Sequence, residues 1–178
     1  MESTEPLNLV YKDGHVMVYD AATVLRLRRD YRIVGALEGS HPTNPQQNNY
    51  YGLPLILLPE EVALLSSDPT TGLDQVQQPN SAHEQVRIDL FKDLHKRGFY
   101  ITRGIKFGAD YMLYPGEPMR YHSHYIVNLM EHDQKITPRQ LIALSRLGTS
   151  VKKTRILASW DPQAKKFVYV SIDWSEIG

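Results

Sequence analysis

Cysteine is absent from the 178 residues of this sequence. Its absence excludes disulfide bonds, thiolate zinc sites and a cysteine nucleophile, and it is typical of proteins from a reducing compartment. Long apolar runs are missing too, since no stretch approaches the ~18 residues that span a bilayer. The first six residues contain two glutamates and no apolar run like that of a signal peptide. We therefore expect a soluble intracellular protein.

Net charge is also missing, because 20 basic residues balance 20 acidic ones. Bulk charge therefore gives no argument for nucleic-acid binding, which would need a local basic patch. The fractions of hydrophobic (42%), aromatic (10%) and charged (22%) residues are ordinary globular values and argue against global disorder. A chain of this length can bury a core as one domain or as two small ones.

Alternating polarity and turn signals predict a small α/β domain over residues 1–66. The Asp13-Gly14 pair favours the positive φ angles of a tight hairpin, and Asp20 can cap the helix that follows. Pro59 is suited to the first turn of a second helix. The predicted elements are two hairpin strands (7–11, 15–19), a helix (21–29), a buried strand (53–58) and a helix (59–65).

Residues 67–81 are polar and contain proline and glycine, which predicts a linker. Ser81 and Glu84 then form a capping box for a helix that Gly98 ends. The remaining pattern predicts a mixed α/β domain over residues 82–178. Its further elements are strands at 99–102, 109–113, 125–129, 155–160 and 167–172, and a helix at 138–147 capped by Thr137 and ended by Gly148.

Residues 111–125 concentrate titratable side chains around a Pro-Gly turn. His122 and His124 lie two residues apart, so they share one face of an extended backbone, and Tyr114 stands just before the turn. These side chains would then face one cleft. The alternative is a tyrosine-rich turn with surface histidines, and spacing alone does not decide between the two.

Gly116 followed by His122-Ser-His124 also matches the start of the cupin metal motif, in which two imidazoles bind one ion. A cupin would place a glutamate closer to the second histidine than Glu131 stands. No second motif of that kind follows. A cupin-like metal-dependent enzyme is therefore the weaker alternative.

Positive charge is concentrated between residues 138 and 160, where no Asp or Glu occurs. Its five basic residues are Arg139, Arg146, Lys152, Lys153 and Arg155. Phosphate contacts need such unbalanced charge, although a solvated basic face has the same composition. Lys152 and Lys153 precede a predicted strand and point in opposite directions.

Three segments of the second half form a specific pattern: Phe107-Gly-Ala-Asp110, Tyr114-Pro-Gly-Glu-Pro-Met-Arg-Tyr-His-Ser-His-Tyr125 and Arg146-Leu-Gly-Thr-Ser-Val-Lys-Lys-Thr154. Together they resemble the tRNA-splicing endonuclease family. In the first half, residues 34–37 and 52–61 are similar to the pattern of the smaller catalytic subunit of the eukaryotic enzyme. The resemblance implies an α/β (α+β) chain with a small N-terminal domain and a mixed-sheet nuclease domain.

Departures from the family pattern are few. Ala109 stands where a second glycine is usual, Glu117 where aspartate is usual and Tyr121 where phenylalanine is usual. None of them falls on a position that the family uses for catalysis. The connection over residues 67–81 is shorter than the charged insertion of most members, as either a natural version or an engineered deletion.

The resemblance implies that this chain cuts precursor tRNA at the 3′ splice site with Tyr114, His122 and Lys153, and with neither metal nor cofactor. Tyr114 would deprotonate the 2′-hydroxyl, and His122 would protonate the 5′-oxygen that leaves. Lys153 would stabilise the transition state and favour the phenolate of the tyrosine. The products would be a 2′,3′-cyclic phosphate and a 5′-hydroxyl.

The resemblance also implies RNA contacts and partner subunits. Arg146 and Trp174 match positions that hold a flipped intron base by stacking and cation–π contact, and Lys152 and Arg155 are expected to add RNA contacts. The last strand would pair with a small non-catalytic subunit, in a heterotetramer with a second catalytic subunit and its structural partner. The expected location is the nucleus or the cytoplasmic face of mitochondria. A non-catalytic RNA-binding or scaffold subunit of the same fold is a further alternative.

Overall fold

The computed structural model describes residues 6–38, 52–71, 73 and 79–173. The chain forms two compact units that divide between Ile88 and Asp89. This division lies within a helix, seven residues after the start of the predicted second domain at residue 82. None of the helices in these ranges has the length and hydropathy needed to cross a membrane.

The N-terminal unit contains a four-stranded antiparallel sheet with the order β1-β2-β4-β3. Its elements are β1 (Val10–Lys12), β2 (His15–Val18), α1 (Ala21–Asp30), β3 (Ala36–Leu37), β4 (Leu55–Ile56) and α2 (Pro59–Leu65). Val18, Leu27, Ile33 and Leu55 are fully buried in its core. The apolar side chains of both strands and helices therefore share one core.

Local chemistry explains these elements. Asp13 and Gly14 have φ angles of 50° and 81°, which confirms the tight hairpin between β1 and β2. The Asp20 carboxylate caps α1 by accepting the Thr23 N–H at 2.7 Å. Strand β4 is shorter than the predicted strand over residues 53–58, since Pro54 has no N–H for the ladder.

The first part of the predicted linker packs on the N-terminal unit. Residues Pro69–Thr71 form a 3₁₀ turn, and the buried Thr71 hydroxyl donates to the Leu65 carbonyl at 2.9 Å. Residues 72 and 74–78 lie outside the described ranges. The linker itself therefore stays a prediction.

The C-terminal unit is built on a five-stranded mixed sheet with the order β5-β6-β7-β8-β9. Its elements are α3 (Ala82–Lys96, which crosses the division), β5 (Tyr100–Arg103), β6 (Tyr111–Tyr114), β7 (Tyr125–Met130), α4 (Pro138–Ser150), β8 (Thr154–Asp161) and β9 (Lys166–Ile172). Strands β7 and β8 are parallel, and the other neighbours are antiparallel. The predicted α+β class and mixed sheet are confirmed.

The predicted starts of α3 and α4 are confirmed, but the predicted end of α4 is wrong. The Ser81 hydroxyl accepts the Glu84 N–H at 3.1 Å, and Thr137 caps α4. Helix α4 continues through Gly148 to Ser150. A Cβ atom on Gly148 would lie 2.9 Å from the Lys153 carbonyl oxygen. Glycine is required here because the chain after the helix returns against it.

The sheet topology gathers three chain segments at one end of the C-terminal sheet. Because β6 is antiparallel to β7 and β7 is parallel to β8, β6 ends where β7 and β8 begin. Tyr114 is the last residue of β6, so we call this the Tyr114 end of the sheet. The turn between β8 and β9 lies at the opposite end.

Candidate active site

Tyr114 lies at the margin of a small apolar cluster. Its half-buried side chain packs, with Phe107 and Val151, against Ala109, Met112 and Ile126. Its neighbours Tyr111 and Leu113 are buried on the other face of β6, where the Tyr111 ring meets the Phe91 ring of α3. The phenol is therefore held on the face of the sheet that lies away from α3.

The segment with the two predicted histidines runs beside the ends of β6 and β8. His122 and His124 are exposed, whereas Ser123 between them is 4% exposed. The His124 N–H donates to the Leu113 carbonyl at 3.0 Å, and its carbonyl accepts the Thr154 N–H at 3.1 Å. This alternation places both imidazoles on one exposed face, as their spacing predicts, while a cleft shared with Tyr114 stays a prediction.

Lys153 contacts this histidine segment directly. Its ammonium donates to the Ser123 carbonyl at 3.0 Å and lies 5.9 Å from the centre of the Phe107 ring. Burial lowers the pKa of Lys153. The Lys153 N–H also donates to the Gly148 carbonyl at 3.0 Å, so the end of α4 fixes the residue's backbone. The Lys153 ammonium is thereby held at the backbone of Ser123, the residue that follows His122 in the sequence.

The structure thus brings together the segments that carry Tyr114, His122 and Lys153. The links are the hydrogen bond of Lys153 to Ser123 and those of His124 to Leu113 and Thr154. These segments carry a phenol, an imidazole and an ammonium, which are groups that can accept a proton, donate a proton and stabilise negative charge. The individual roles of these three residues stay predictions.

The predicted RNA-binding residues fall in different places. Lys152 is exposed, with a φ of 53°, and Arg146 is exposed on α4. Lys152 and the half-buried Lys153 therefore differ in exposure, as expected from their opposite directions. Trp174 lies outside the described residues.

Arg155, which the sequence predicts as an RNA contact, is instead buried in the C-terminal unit. Its side chain is fully buried, and burial lowers its pKa. The guanidinium donates to the Phe107 carbonyl at 3.2 Å, the Gly108 carbonyl at 3.5 Å and the Asn128 side-chain oxygen. It therefore holds the turn that places the Phe107 ring near Lys153, and it is not presented to RNA.

The sequence contains one indication that Arg155 is buried, namely its position in the predicted strand. Arg155 and Leu157 share a face of β8 by strand alternation, and Leu157 is a core residue.

In the described ranges, no group of three or more His, Asp or Glu side chains is arranged to hold a metal ion.

Two family models match the chain. Residues 7–71 match the TSEN34-like N-terminal domain, and residues 85–170 match the tRNA intron endonuclease catalytic C-terminal domain. The second match includes Tyr114, His122 and Lys153.

Relatives named as tRNA-splicing endonucleases, or as subunits of one, are found in eukaryotes and archaea. The tRNA-splicing endonuclease subunit Sen34 of Homo sapiens is 43% identical over 96 residues, which make up 54% of this chain and 30% of that protein. The subunit Sen34 of Mus musculus is 34% identical over 150 residues, covering 80% of this chain and 47% of that protein. The tRNA-splicing endonuclease of Saccharolobus solfataricus is 31% identical over 90 residues, covering 51% and 50%.

The chain therefore spans less than half the length of its human and mouse relatives. The probable subunit sen34 of Schizosaccharomyces pombe is 27% identical, with 86% of this chain and 87% of that protein covered. The His122-Ser-His124 segment falls within the endonuclease match, which replaces the cupin alternative. With both halves matched to domains of one enzyme, the chain belongs to the tRNA-splicing endonuclease family.

Proposed function

We propose that this chain is a catalytic subunit of a tRNA-splicing endonuclease and cuts precursor tRNA at the 3′ splice site. The observation that carries the proposal is the meeting of the Tyr114, His122 and Lys153 segments at one end of the sheet, through the Lys153–Ser123 and His124 hydrogen bonds. The TSEN34-like match over residues 7–71 supports the choice of subunit.

The proposed reaction is an attack of the RNA's own 2′-hydroxyl on the adjacent phosphorus. A bond forms between O2′ and phosphorus while the bond from phosphorus to O5′ breaks. Tyr114 takes the proton of the 2′-hydroxyl, and His122 gives a proton to the departing 5′-oxygen. This leaves a 2′,3′-cyclic phosphate and a 5′-hydroxyl.

Lys153 has two roles in this scheme. Its ammonium stabilises the additional negative charge of the phosphorane-like transition state. A nearby cation also favours the phenolate form that Tyr114 needs to act as a base. The hydrogen bond to the Ser123 carbonyl keeps the ammonium beside the histidine segment in both roles. The substrate supplies the nucleophile, so the scheme uses no metal ion or cofactor.

The proposal extends to partner subunits. Strand β9 is an edge strand, and Val168 and Val170 on it are 42% and 54% exposed. An apolar edge strand is suited to pairing with a strand of another chain. We assign this edge to the small non-catalytic subunit of a heterotetramer that also contains a second catalytic subunit and its structural partner. A nuclear location, or the cytoplasmic face of mitochondria, is proposed from the family resemblance.

The test is His122→Ala in the assembled enzyme, with a precursor tRNA as substrate. We expect loss of general-acid catalysis to slow the 3′ cut about 10²- to 10⁴-fold, while the 5′ cut by the other catalytic subunit continues. The measurement is separation of the cleavage fragments on a denaturing gel over time.

The matched control is His124→Ala, which removes the exposed imidazole two residues away. This variant should keep the 3′ cut. An unchanged 3′ cut in His122→Ala would reject the catalytic assignment. If the parent enzyme binds precursor tRNA but makes no 3′ cut, the chain is instead an RNA-binding or scaffold subunit.

A further inference from the structure

A cationic surface of the C-terminal unit lies far from the candidate active site. A cavity of about 360 Å³ opens between the second half of α3 and the β8–β9 hairpin, and we call it the α3–hairpin groove. Five cationic, two acidic and two aromatic residues line it: Lys92, Lys96, Arg97, Lys165, Lys166, Asp89, Asp93, Trp160 and Phe167. Positive charge is therefore in excess here, although the whole chain is neutral.

The groove lies at the end of the sheet opposite to Tyr114. Strand β8 begins beside His124 at Thr154 and reaches the hairpin at Asp161. At ~3.3 Å per residue, its length separates the two places by ~23 Å. The groove is also on the α3 side of the sheet, whereas Tyr114 faces away from α3. It is therefore separate from the site that cuts the RNA in our proposal.

Internal hydrogen bonds hold the wall that α3 contributes. The Tyr169 hydroxyl donates to an Asp93 carboxylate oxygen at 2.5 Å, and the Arg97 guanidinium donates to the same oxygen at 2.8 Å. The Arg97 guanidinium also lies 4.8 Å from the centre of the Tyr169 ring. The Asp93 charge is thus engaged within the protein.

The hairpin wall is fixed in a similar way. One Asp161 carboxylate oxygen accepts the N–H groups of Gln163 and Ala164, both at 2.9 Å. The turn holds Lys165, which is exposed, as is Lys96 on the α3 wall. The Trp160 and Phe167 rings pack against each other at 5.1 Å. Helix α3 and the hairpin therefore present cations to solvent beside the half-buried Trp160 ring, which packs on the buried Phe167 ring.

We infer that the α3–hairpin groove binds the phosphate backbone of RNA at a distance from the cut. Lysine and arginine side chains on rigid elements are the usual donors to phosphate, and aromatic rings beside them favour nucleic acid over a simple anion. This inference rests on the proposed function, which supplies an RNA substrate. A folded RNA with separate helical arms can reach both places.

The test is the double variant Lys96→Gln/Lys165→Gln, which removes one cation from each wall. The probe is a fluorescently labelled precursor tRNA, bound to the assembled enzyme at several salt concentrations. We expect the dissociation constant to rise about tenfold and the salt slope to fall by about 1.5, because two phosphate contacts are lost. The rate of cleavage at saturating RNA should not change.

The matched control is Lys12→Gln/Arg29→Gln, which removes two exposed charges from the N-terminal unit. Its affinity and salt slope should equal those of the parent enzyme. A groove variant that binds RNA like the parent would overturn the inference, and so would one that only loses partner subunits. The dissociation constant is measured independently of cleavage. An enzyme that binds precursor tRNA but does not cut it would refute the proposed function. The affinity of the groove variant would still support or overturn the inference about the groove.

Discussion

Arg155 combines a permanent charge with complete burial, and three oxygen acceptors compensate for the burial. Arg155→Met removes the donors to the Phe107 carbonyl and the Asn128 side-chain oxygen, while the Gly108 carbonyl keeps the Asn128 amide as a donor. The lost hydrogen bonds should lower the free energy of unfolding by about 2–4 kcal/mol. Urea denaturation of the full chain measures this change. Arg139→Gln, an exposed charge on α4, should change it by no more than about 0.5 kcal/mol. Equal stability of the two variants would contradict the structural role of Arg155.

Glu61, in α2, is also a charged residue with no exposed surface. Its carboxylate accepts the N–H groups of Val34, Gly35 and Leu58 at 3.1, 2.9 and 2.8 Å. At pH 5 both oxygens of the carboxyl group can accept, whereas the NH₂ group of glutamine accepts no hydrogen bond. Glu61→Gln should therefore lower the free energy of unfolding by about 1–3 kcal/mol at this pH. Urea denaturation of both proteins at this pH checks the value.

The same pair of proteins tests a pH dependence. Burial raises the pKa of Glu61 from 4.5 to about 7. Because the raised pKa belongs to the folded state, its stabilising contribution is complete below 4.5 and is lost as the pH rises through 7. The stability difference between wild type and Glu61→Gln should therefore shrink from pH 4.5 to 8, measured by urea denaturation. A constant difference would mean that the three N–H donors keep the carboxylate ionised.

At the scale of elements, the sequence predicts those features that depend on neighbouring residues. The Asp13-Gly14 hairpin, the Asp20 cap and the Ser81 cap each involve residues within a few positions of one another. Gly148 differs, because its small size is needed for the carbonyl of Lys153 and not for ending the helix. A local pattern does not contain this tertiary contact, so it gives the wrong helix end.

The candidate site likewise combines features that the sequence predicts with contacts that only the fold creates. Family resemblance, not spacing, selects Tyr114, His122 and Lys153 from the titratable residues around them. Only the fold adds the contact between Lys153 and the Ser123 carbonyl, 30 residues away in the chain. The composition of the basic segment gives the wrong prediction for Arg155, because composition does not show which way a side chain points. Strand alternation does show this, and it places Arg155 on the buried face of β8.

At the scale of the whole molecule, strand β9 has two different faces. Tyr169 on one face is hydrogen-bonded to Asp93 of α3 within the unit. Val168 and Val170 point to the other face and leave apolar surface exposed. The strand's free backbone edge lies beside this surface. An edge strand with one face fixed within the unit and the other face apolar is suited to pairing with a partner chain, which supports the proposed assignment of this edge.

Val170→Lys tests the use of this edge. Because Val170 is 54% exposed, the substitution should change the free energy of unfolding by no more than about 0.5 kcal/mol. In the complex, however, the new lysine ammonium would be buried in an apolar interface, which should weaken binding of the small subunit about tenfold or more. Isothermal titration of the two purified chains measures the dissociation constant. Val10→Lys, on the edge strand β1 and 39% exposed, is the matched control and should bind like wild type. Wild-type affinity in Val170→Lys would place the small subunit on another surface.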